Sequence, residues 1–316
     1  MSIQNDRALL FEKGVTRTMT GRELFRRYYC ILEEIAKDLE KSQVKEVSIS
    51  ENKILFKTEE DIVLNYSFGD VGMISQWLIL PGSESGEKKV IENILEIFSL
   101  LKKDFTFFDI GANIGWYSLW IGKKYPECKV FAFEPAPAAF EQIKINLQLN
   151  EIANIEAFNM GFADTPGKKE FFFCEEIQTA SSLADTLPDT IKRKIQCDFD
   201  TVDSFCCKQN CSPDFIKCDV EGAEYLVMKG AGRILSDFSP VLMLEMLRKW
   251  MKCFNVHPND LIEKLEQYGY RCYAVDQENT SIFRVIAVDE NTTETNFFFL
   301  HPEKHKKILE KLCING

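Results

Sequence analysis

The residues best placed to do chemistry are carboxylates and glycines where short apolar runs end. FTFFDI runs into Asp109-Ile110-Gly111-Ala112-Asn113-Ile114-Gly115. Glycines directly after a strand let the backbone turn sharply and approach a ligand closely. CKVFAFEP closes on Glu134-Pro135, 19 residues beyond Gly115. An acidic side chain at such an exit can accept hydrogen bonds from both hydroxyls of a ribose. Lys217-Cys218-Asp219-Val220-Glu221-Gly222-Ala223-Glu224 places three carboxylates between a strand and a helix. Spaced by two, Asp219 and Glu221 face one side of an extended exit. Each feature also has a plainer reading. G-x-N-x-G occurs in many turns. Carboxylates ahead of a helix cap it or offset its dipole, and this is the preferred reading for Glu224.

Positioning these residues requires a regular alternation of strands and helices, and the sequence has one from Thr106 onward. Continuous apolar runs predict strands in FTFFDI, CKVFAFEP, IEAFNMGFA, SPDFIKCDV, SPVLMLEM, RCYAVD and NFFFLHP. Helices are expected over 117–124, 138–150, 223–235 and 258–268, with a short one at the end. The pattern argues for a mainly parallel sheet covered on both faces. A segment of about 167–213 breaks the rhythm with FFFC, a Ser/Thr-rich stretch and TVD, and reads as an insertion of strands and a loop. Residues 1–86 read as a separate α+β module, followed by a second domain over 87–316. The module holds a helix over 20–40 with an apolar face (Leu24, Tyr28, Ile31, Leu32, Ile35, Leu39) and a capping box of Thr20 with Glu23. Three alternating runs, VKEVSIS, NKILFKT and DIVLNYSF, predict hairpins. A Pro81–Gly86 loop and a helix over 87–101 follow.

The stretches FFDIGANIGWYS, FAFEPAPAAFEQIKINLQLN, TVD, FIKCDVEGAEYLVMKGA and PVLMLEM resemble the FkbM family of S-adenosylmethionine-dependent methyltransferases over roughly residues 105–250. The resemblance implies an α/β, Rossmann-like class I methyltransferase sheet with an antiparallel last strand. It implies that Gly111, Ala112, Asn113 and Gly115 line the methionine part of the cofactor and that Asp109 sits near its amino group. Glu134, followed by Pro135, would take the ribose hydroxyls, and Asn159, Met160 and Gly161 would border the adenine. Met160 reads equally well as core. Residues 1–100 lie outside the resemblance.

Members of that family mostly methylate hydroxyl oxygens, so the expected substrate is a hydroxylated small molecule, a sugar among the candidates. A hydroxyl loses its proton as it attacks, and a positioned base contributes about 10²–10⁴-fold. Asp219, Glu221, Glu245 and His257 are the candidates near the strand exits. A histidine before a proline at a helix start also reads as a turn residue. Asp219, Glu221 and Glu245 are oxygen donors of the kind Mg²⁺ takes, but no metal is assigned to them. Lys217, in an apolar strand, needs a carboxylate partner. Two other readings stay open: a nicotinamide-dependent oxidoreductase, against which the missing G-x-G-x-x-G counts, and a non-catalytic cofactor-binding scaffold.

The composition sets further limits. With 45% hydrophobic and 12% aromatic residues, the chain has the makings of a packed core and is not disordered. A formal charge of −11 argues against a nucleic-acid partner, whose affinity comes from neutralised phosphates. No run approaches the ~20 apolar residues that span a bilayer. The start of the sequence lacks the apolar core of a secretion signal, so a cytoplasmic location is expected. The 11 cysteines are scattered and odd in number, as reduced thiols are. Cys206, Cys207, Cys211 and Cys218 lack the paired spacing of a zinc site. The amphipathic first helix leaves an oligomer open.

Overall fold

The computed structural model describes residues 21–40, 42–51, 53–66, 85–174, 181–186 and 190–313. In chain order the elements are α1 (Gly21–Leu39), β1 (Val44–Ser50), β2 (Lys53–Thr58), β3 (Val63–Asn65), α2 (Ser85–Leu101), β4 (Phe105–Ile110), α3 (Trp116–Lys124), β5 (Cys128–Phe133), α4 (Pro137–Asn150), β6 (Ile155–Phe158), β7 (Gly161–Phe162), β8 (Gly167–Cys174), β9 (Lys192–Asp200), α5 (Val202–Gln209), β10 (Phe215–Cys218), α6 (Glu224–Lys229), α7 (Gly232–Asp237), β11 (Val241–Glu245), α8 (Arg248–Met251), a 3₁₀ turn (Lys252–Phe254), α9 (Pro258–Glu266), β12 (Arg271–Asp276), β13 (Ser281–Val285), β14 (Asn296–Leu300) and α10 (Lys306–Leu312).

Eight strands form one sheet in the order β13-β12-β14-β11-β10-β4-β5-β6. From β11 through β6 all neighbours run parallel, while β14 lies antiparallel between β11 and β12. This is the mainly parallel, Rossmann-like α/β sheet with an antiparallel strand that the sequence resemblance implies. Its functional consequence lies at β4. The chain moves outward from β4 through β5 to β6, then returns to the other side of β4 with β10 and β11. The connections leaving β4 and β10 therefore run to opposite sides of the sheet, and the point where strand order reverses lies at the carboxyl edge between them.

Alternation along each strand divides the core between the two faces. Phe105 and Phe107 of β4, Phe215 of β10 and Met243 of β11 join one apolar cluster with α2 and α3. Phe108, Ile110, Ile216 and Leu244 join another with α5, α6, α7 and α9. The second cluster contains edge-on ring contacts between Phe205 and each of Phe108, Phe131, Phe133, Phe158 and Phe162. Such pairs add about 0.5–1.5 kcal/mol each beyond the area they bury.

The three-stranded N-terminal sheet, β1-β2-β3, packs on α4. Val44, Phe56, Ile62 and Leu64 lie in the same apolar cluster as α2 and α3. Helix amides satisfy the outer edge of β3. Asn150 Oδ1 accepts from Val63 N–H at 2.8 Å, and Asn146 Oδ1 accepts from Asn65 N–H at 2.8 Å.

The structure departs from the sequence expectations at several elements. The strand expected in IEAFNMGFA is split: β6 stays in the main sheet, whereas β7 pairs with β9 in a small sheet of β7, β9 and β8. The helix expected over 223–235 is two helices that part at Gly230-Ala231. Gly230 is wedged there, and a Cβ on it would lie 2.3 Å from the Ala163 carbonyl oxygen. Strand β13, helix α5 and helix α8 were not anticipated. The apolar face expected on α1 is incompletely covered among the described residues, with Ile31 and Leu32 exposed. Thr20 of the expected capping box, residues 67–68 of the third run and residues 81–84 of the expected loop lie outside the described residues.

Candidate active site

Strand register assembles the site. Lys217 of β10 lies opposite Asp109 of β4 on one side and Met243 of β11 on the other. Two residues further along the same face, Asp219 and Glu245 leave their strands side by side. Asp109, Lys217, Asp219 and Glu245 thus line one face of three adjacent strand ends.

The first loop is shaped around glycine. Gly111 and Gly115 have φ of 76° and 85°, and Asn113 has φ of 50°, a left-handed conformation that asparagine tolerates better than most residues. Gly111 and Ala112 donate their amides to the Phe133 carbonyl, each at 3.0 Å, which ties the loop to the end of β5. A Cβ on Gly111 would lie 1.8 Å from the Asp219 carbonyl oxygen, so the loops after β4 and β10 touch backbone to backbone. Asp109 is fully buried. Its Oδ2 accepts from the Ser118 amide at 3.1 Å and hydroxyl at 2.7 Å, at the start of α3. Its Oδ1 makes no hydrogen bond and faces the Lys217 ammonium at 3.6 Å.

Glu134 is 7% exposed. Its Oε2 accepts from Asn113 N–H at 3.0 Å and its Oε1 from Ala136 N–H at 2.8 Å. Burial pushes its carboxyl up to about 7 against the lowering effect of those amides. A carboxylate offers about four acceptor sites, so capacity remains for a pair of hydroxyls. Asn159 donates its side-chain amide to the carbonyls of Glu134 at 2.9 Å and Pro135 at 3.1 Å. It thereby shapes the exit of β5 from behind. Met160 packs against the phenylalanine-rich core. A Cβ on Gly161 would meet the Phe199 ring at 2.4 Å.

The second loop is crowded with like charges. Asp219, Glu221 and Glu245 each present a carboxylate oxygen, and the three atoms lie within 4.8 Å of one another. Glu221 has φ of 58°, a conformation that costs a residue of its type of order 1–3 kcal/mol. Its Oε2 is buried without a hydrogen bond. Fully buried Glu224 holds the turn, its Oε1 accepting from Val220 N–H at 2.8 Å and Gly222 N–H at 3.3 Å. Burial raises Glu224 to about 8. Burial, then the Asp219 charge, pushes Glu221 and Glu245 well above the usual carboxylate range. Glu245 also shares a hydrogen bond with Asp219. Ser182, from the inserted segment, donates its hydroxyl to the Glu221 carbonyl at 2.9 Å.

His257 does not join this group. It is exposed at the N-cap of α9, where its Nδ1 accepts from Asn259 N–H at 3.2 Å and Asp260 accepts from its own amide at 2.7 Å. The structure does not bring His257 to the carboxylates, and its Nδ1 is engaged in starting a helix. Glu224 takes the role preferred for it in the sequence, holding the backbone turn at the start of α6. Lys217 meets its partners as expected, with Asp219 at 3.2 Å.

The family profile described as "Methyltransferase FkbM domain" matches residues 109–272, just over half of the chain. Methyltransferase sdnD of Sordaria araneosa is 36% identical over 76 residues, 24% of this chain and 29% of that protein. The 31-O-demethyl-FK506 methyltransferase FkbM of Streptomyces tacrolimicus is 31% identical over 94 residues, 30% of this chain and 35% of that protein. The chain thus spans about a third of the length of these curated relatives. Among solved structures, methyltransferase FkbM from Methylobacillus flagellatus KT aligns with a TM-score of 0.41 and 18% identity, over 62% of this chain and 44% of that one.

Proposed function

Since the chain belongs to the methyltransferase FkbM family, we propose that it transfers a methyl group from S-adenosylmethionine to a hydroxyl oxygen of a small molecule, with sugars the first class to test. The observation that carries this reading is the convergence at one sheet edge of a ribose-type carboxylate, Glu134, and a proton-accepting carboxylate pair, Asp219 and Glu245. The name of the Streptomyces tacrolimicus relative, 31-O-demethyl-FK506 methyltransferase, specifies an oxygen.

The residues fit the cofactor. Asp109 Oδ1, which makes no hydrogen bond and has the Lys217 ammonium at 3.6 Å, and the buried Asn113 Oδ1 without a hydrogen bond are acceptors suited to an ammonium group. The free acceptor sites of Glu134 suit the ribose diol, and Asn159, Met160 and Gly161 border the space beside it. Bound there, S-adenosylmethionine supplies an electrophilic methyl on sulfur, which passes to the acceptor oxygen as the carbon–sulfur bond breaks and S-adenosylhomocysteine remains. The chain's own part is to orient the acceptor and take its proton. Glu245 is the leading proton acceptor. Burial and its neighbours raise its proton affinity, and its bond to Asp219 sets its direction. Glu221 borders the same space. We place the reaction in the cytoplasm; no described helix is long and apolar enough to cross a membrane.

Calorimetric titration with S-adenosylmethionine, S-adenosylhomocysteine and NAD⁺ tests the reading. Both sulfur nucleosides bind and NAD⁺ does not. Glu134→Ala weakens both by about 10- to 150-fold, the 1.5–3 kcal/mol of hydrogen bonds to a charged group. Methyl transfer to a panel of polyols and sugars then yields an O-methyl ether identified by mass and NMR. Binding of NAD⁺ alone moves the site to hydride chemistry. Cofactor binding without transfer to any acceptor favours a scaffold.

A further inference from the structure

Lys217 is a charged side chain inside an apolar strand, with only 6% of it exposed. Its ammonium lies 3.2 Å from Asp219 Oδ2, 3.3 Å from the Gly111 carbonyl oxygen and 3.6 Å from Asp109 Oδ1. The Tyr117 ring stands 5.1 Å away. An ammonium carries three protons, and three oxygens surround this one. They come from three places: the end of β4, the loop after β4 and the loop after β10. Register alone brings Asp109 opposite Lys217. The reach to Gly111 and Asp219 is made by the side chain.

The two loops it joins have the two halves of the proposed reaction between them. Gly111 begins the loop assigned to the methyl donor, and Asp219 is the hydrogen-bond partner of the proposed proton acceptor. Their backbones already touch, since Asp219 N–H donates to the Ile110 carbonyl at 3.0 Å and a Cβ on Gly111 has no room. Asp219 also stands beside Glu221, Glu224 and Glu245, whose carboxyls are held above the usual range and keep their protons rather than share its charge. The Lys217 ammonium, 3.2 Å away, is the opposite charge next to it.

We propose that Lys217 is a positioning residue of the methyl-transfer site, a strut that fixes Asp219, and through it Glu245, relative to the Gly111 loop. The assignment rests on the methyltransferase reading for its consequence in catalysis, but not for the strut itself. In-line transfer depends on reacting atoms held about 3–3.5 Å apart, and a misplacement of about 1 Å can cost 10²-fold. Loss of the strut therefore acts on turnover more than on cofactor affinity.

The test compares Lys217→Met and Lys217→Ala with the full wild-type chain. In Lys217→Met, turnover falls about 100-fold while S-adenosylhomocysteine affinity falls by less than about fivefold, since the ribose and glycine-loop contacts remain. Methylammonium added to Lys217→Ala restores turnover at least about tenfold, and the bulkier tetramethylammonium does not, because it has no proton to donate. On an Asp219→Asn background, Lys217→Met adds no more than about twofold, the non-additivity of two residues acting as one unit. Equal loss of affinity and turnover, additive effects, or absence of rescue overturns the proposal. Amide hydrogen exchange gives a readout independent of activity and sensitive to local opening. Residues 111–115 and 219–222 lose protection together in Lys217→Met if the strut joins them. A change confined to one loop, or in neither, removes it. Should the wild type transfer no methyl group, the functional reading falls while the exchange result still decides the strut.

Discussion

The proposed cofactor side and the proposed acceptor side of the site use the same residue type in different ways. On the cofactor side, Glu134 is buried but hydrogen-bonded at both oxygens by backbone amides of Asn113 and Ala136. On the acceptor side, Asp219, Glu221 and Glu245 crowd one another within 4.8 Å, with a buried oxygen of Glu221 left without a hydrogen bond. Backbone amides make a rigid recognition site with both oxygens hydrogen-bonded, although burial still raises the carboxyl to about 7. Packed carboxylates make a site that holds protons strongly and is satisfied only in part. The first arrangement suits tight binding of one constant ligand, and the second suits a group that must change its protonation state during a reaction.

That contrast breaks most visibly at Glu245. Glu245→Gln keeps the shape but removes the proton acceptor, so turnover falls by 10²-fold or more while S-adenosylhomocysteine titrates within about threefold of wild type. Equal losses in both would erase the division between the two sides. Turnover that survives dialysis against EDTA would sharpen it, since shared protons and not a divalent cation would then relieve the crowding.

Stability against pH probes the same crowding. Glu224 is raised by burial to about 8 and Glu134 to about 7, both above their unfolded values. Between pH 4.5 and 8 the folded chain keeps protons that the unfolded chain has released, so stability falls as pH rises through that window. The melting temperature of the ligand-free protein accordingly drops by several degrees from pH 5.5 to 8.5. Glu224→Gln flattens the decline, because its amide still donates or accepts in the turn and never ionises. A melting temperature that rises across this range would contradict the burial of these two groups.

The smallest effect is expected at His257, outside both sides. His257→Ala loses a helix cap, about 1 kcal/mol, seen as a melting temperature a few degrees lower. Turnover stays within about twofold.

The cofactor side was the more legible in the sequence. Asp109, the glycines after it and Glu134 sit at ends of apolar runs, and local pattern alone marks such ends. The acceptor cluster was legible only in part. Asp219 and Glu221 are close in sequence, but Glu245 reaches them through the pairing of β10 with β11, which no local pattern encodes. For His257 the sequence left two readings, a base or a residue of a helix start, because a histidine capping a helix through its ring has the same local pattern as one poised for catalysis, and the structure places it at a helix start. The break at Gly230-Ala231 was invisible for a similar reason: it comes from the close approach of Ala163, which follows the distant strand β7. On α1, helical spacing of apolar residues was visible, yet spacing cannot say whether anything covers the face.

Asn146 and Asn150 impose an order of assembly. The edge of β3 finds its hydrogen-bond acceptors in side chains 81 and 87 residues further along. During synthesis those side chains leave the ribosome on the order of 4–17 s after β3, at roughly 5–20 residues per second. Until then the N-terminal hairpins have an open edge and an uncovered apolar face, the condition in which a nascent chain is most prone to pair with the wrong strand and most in need of a chaperone.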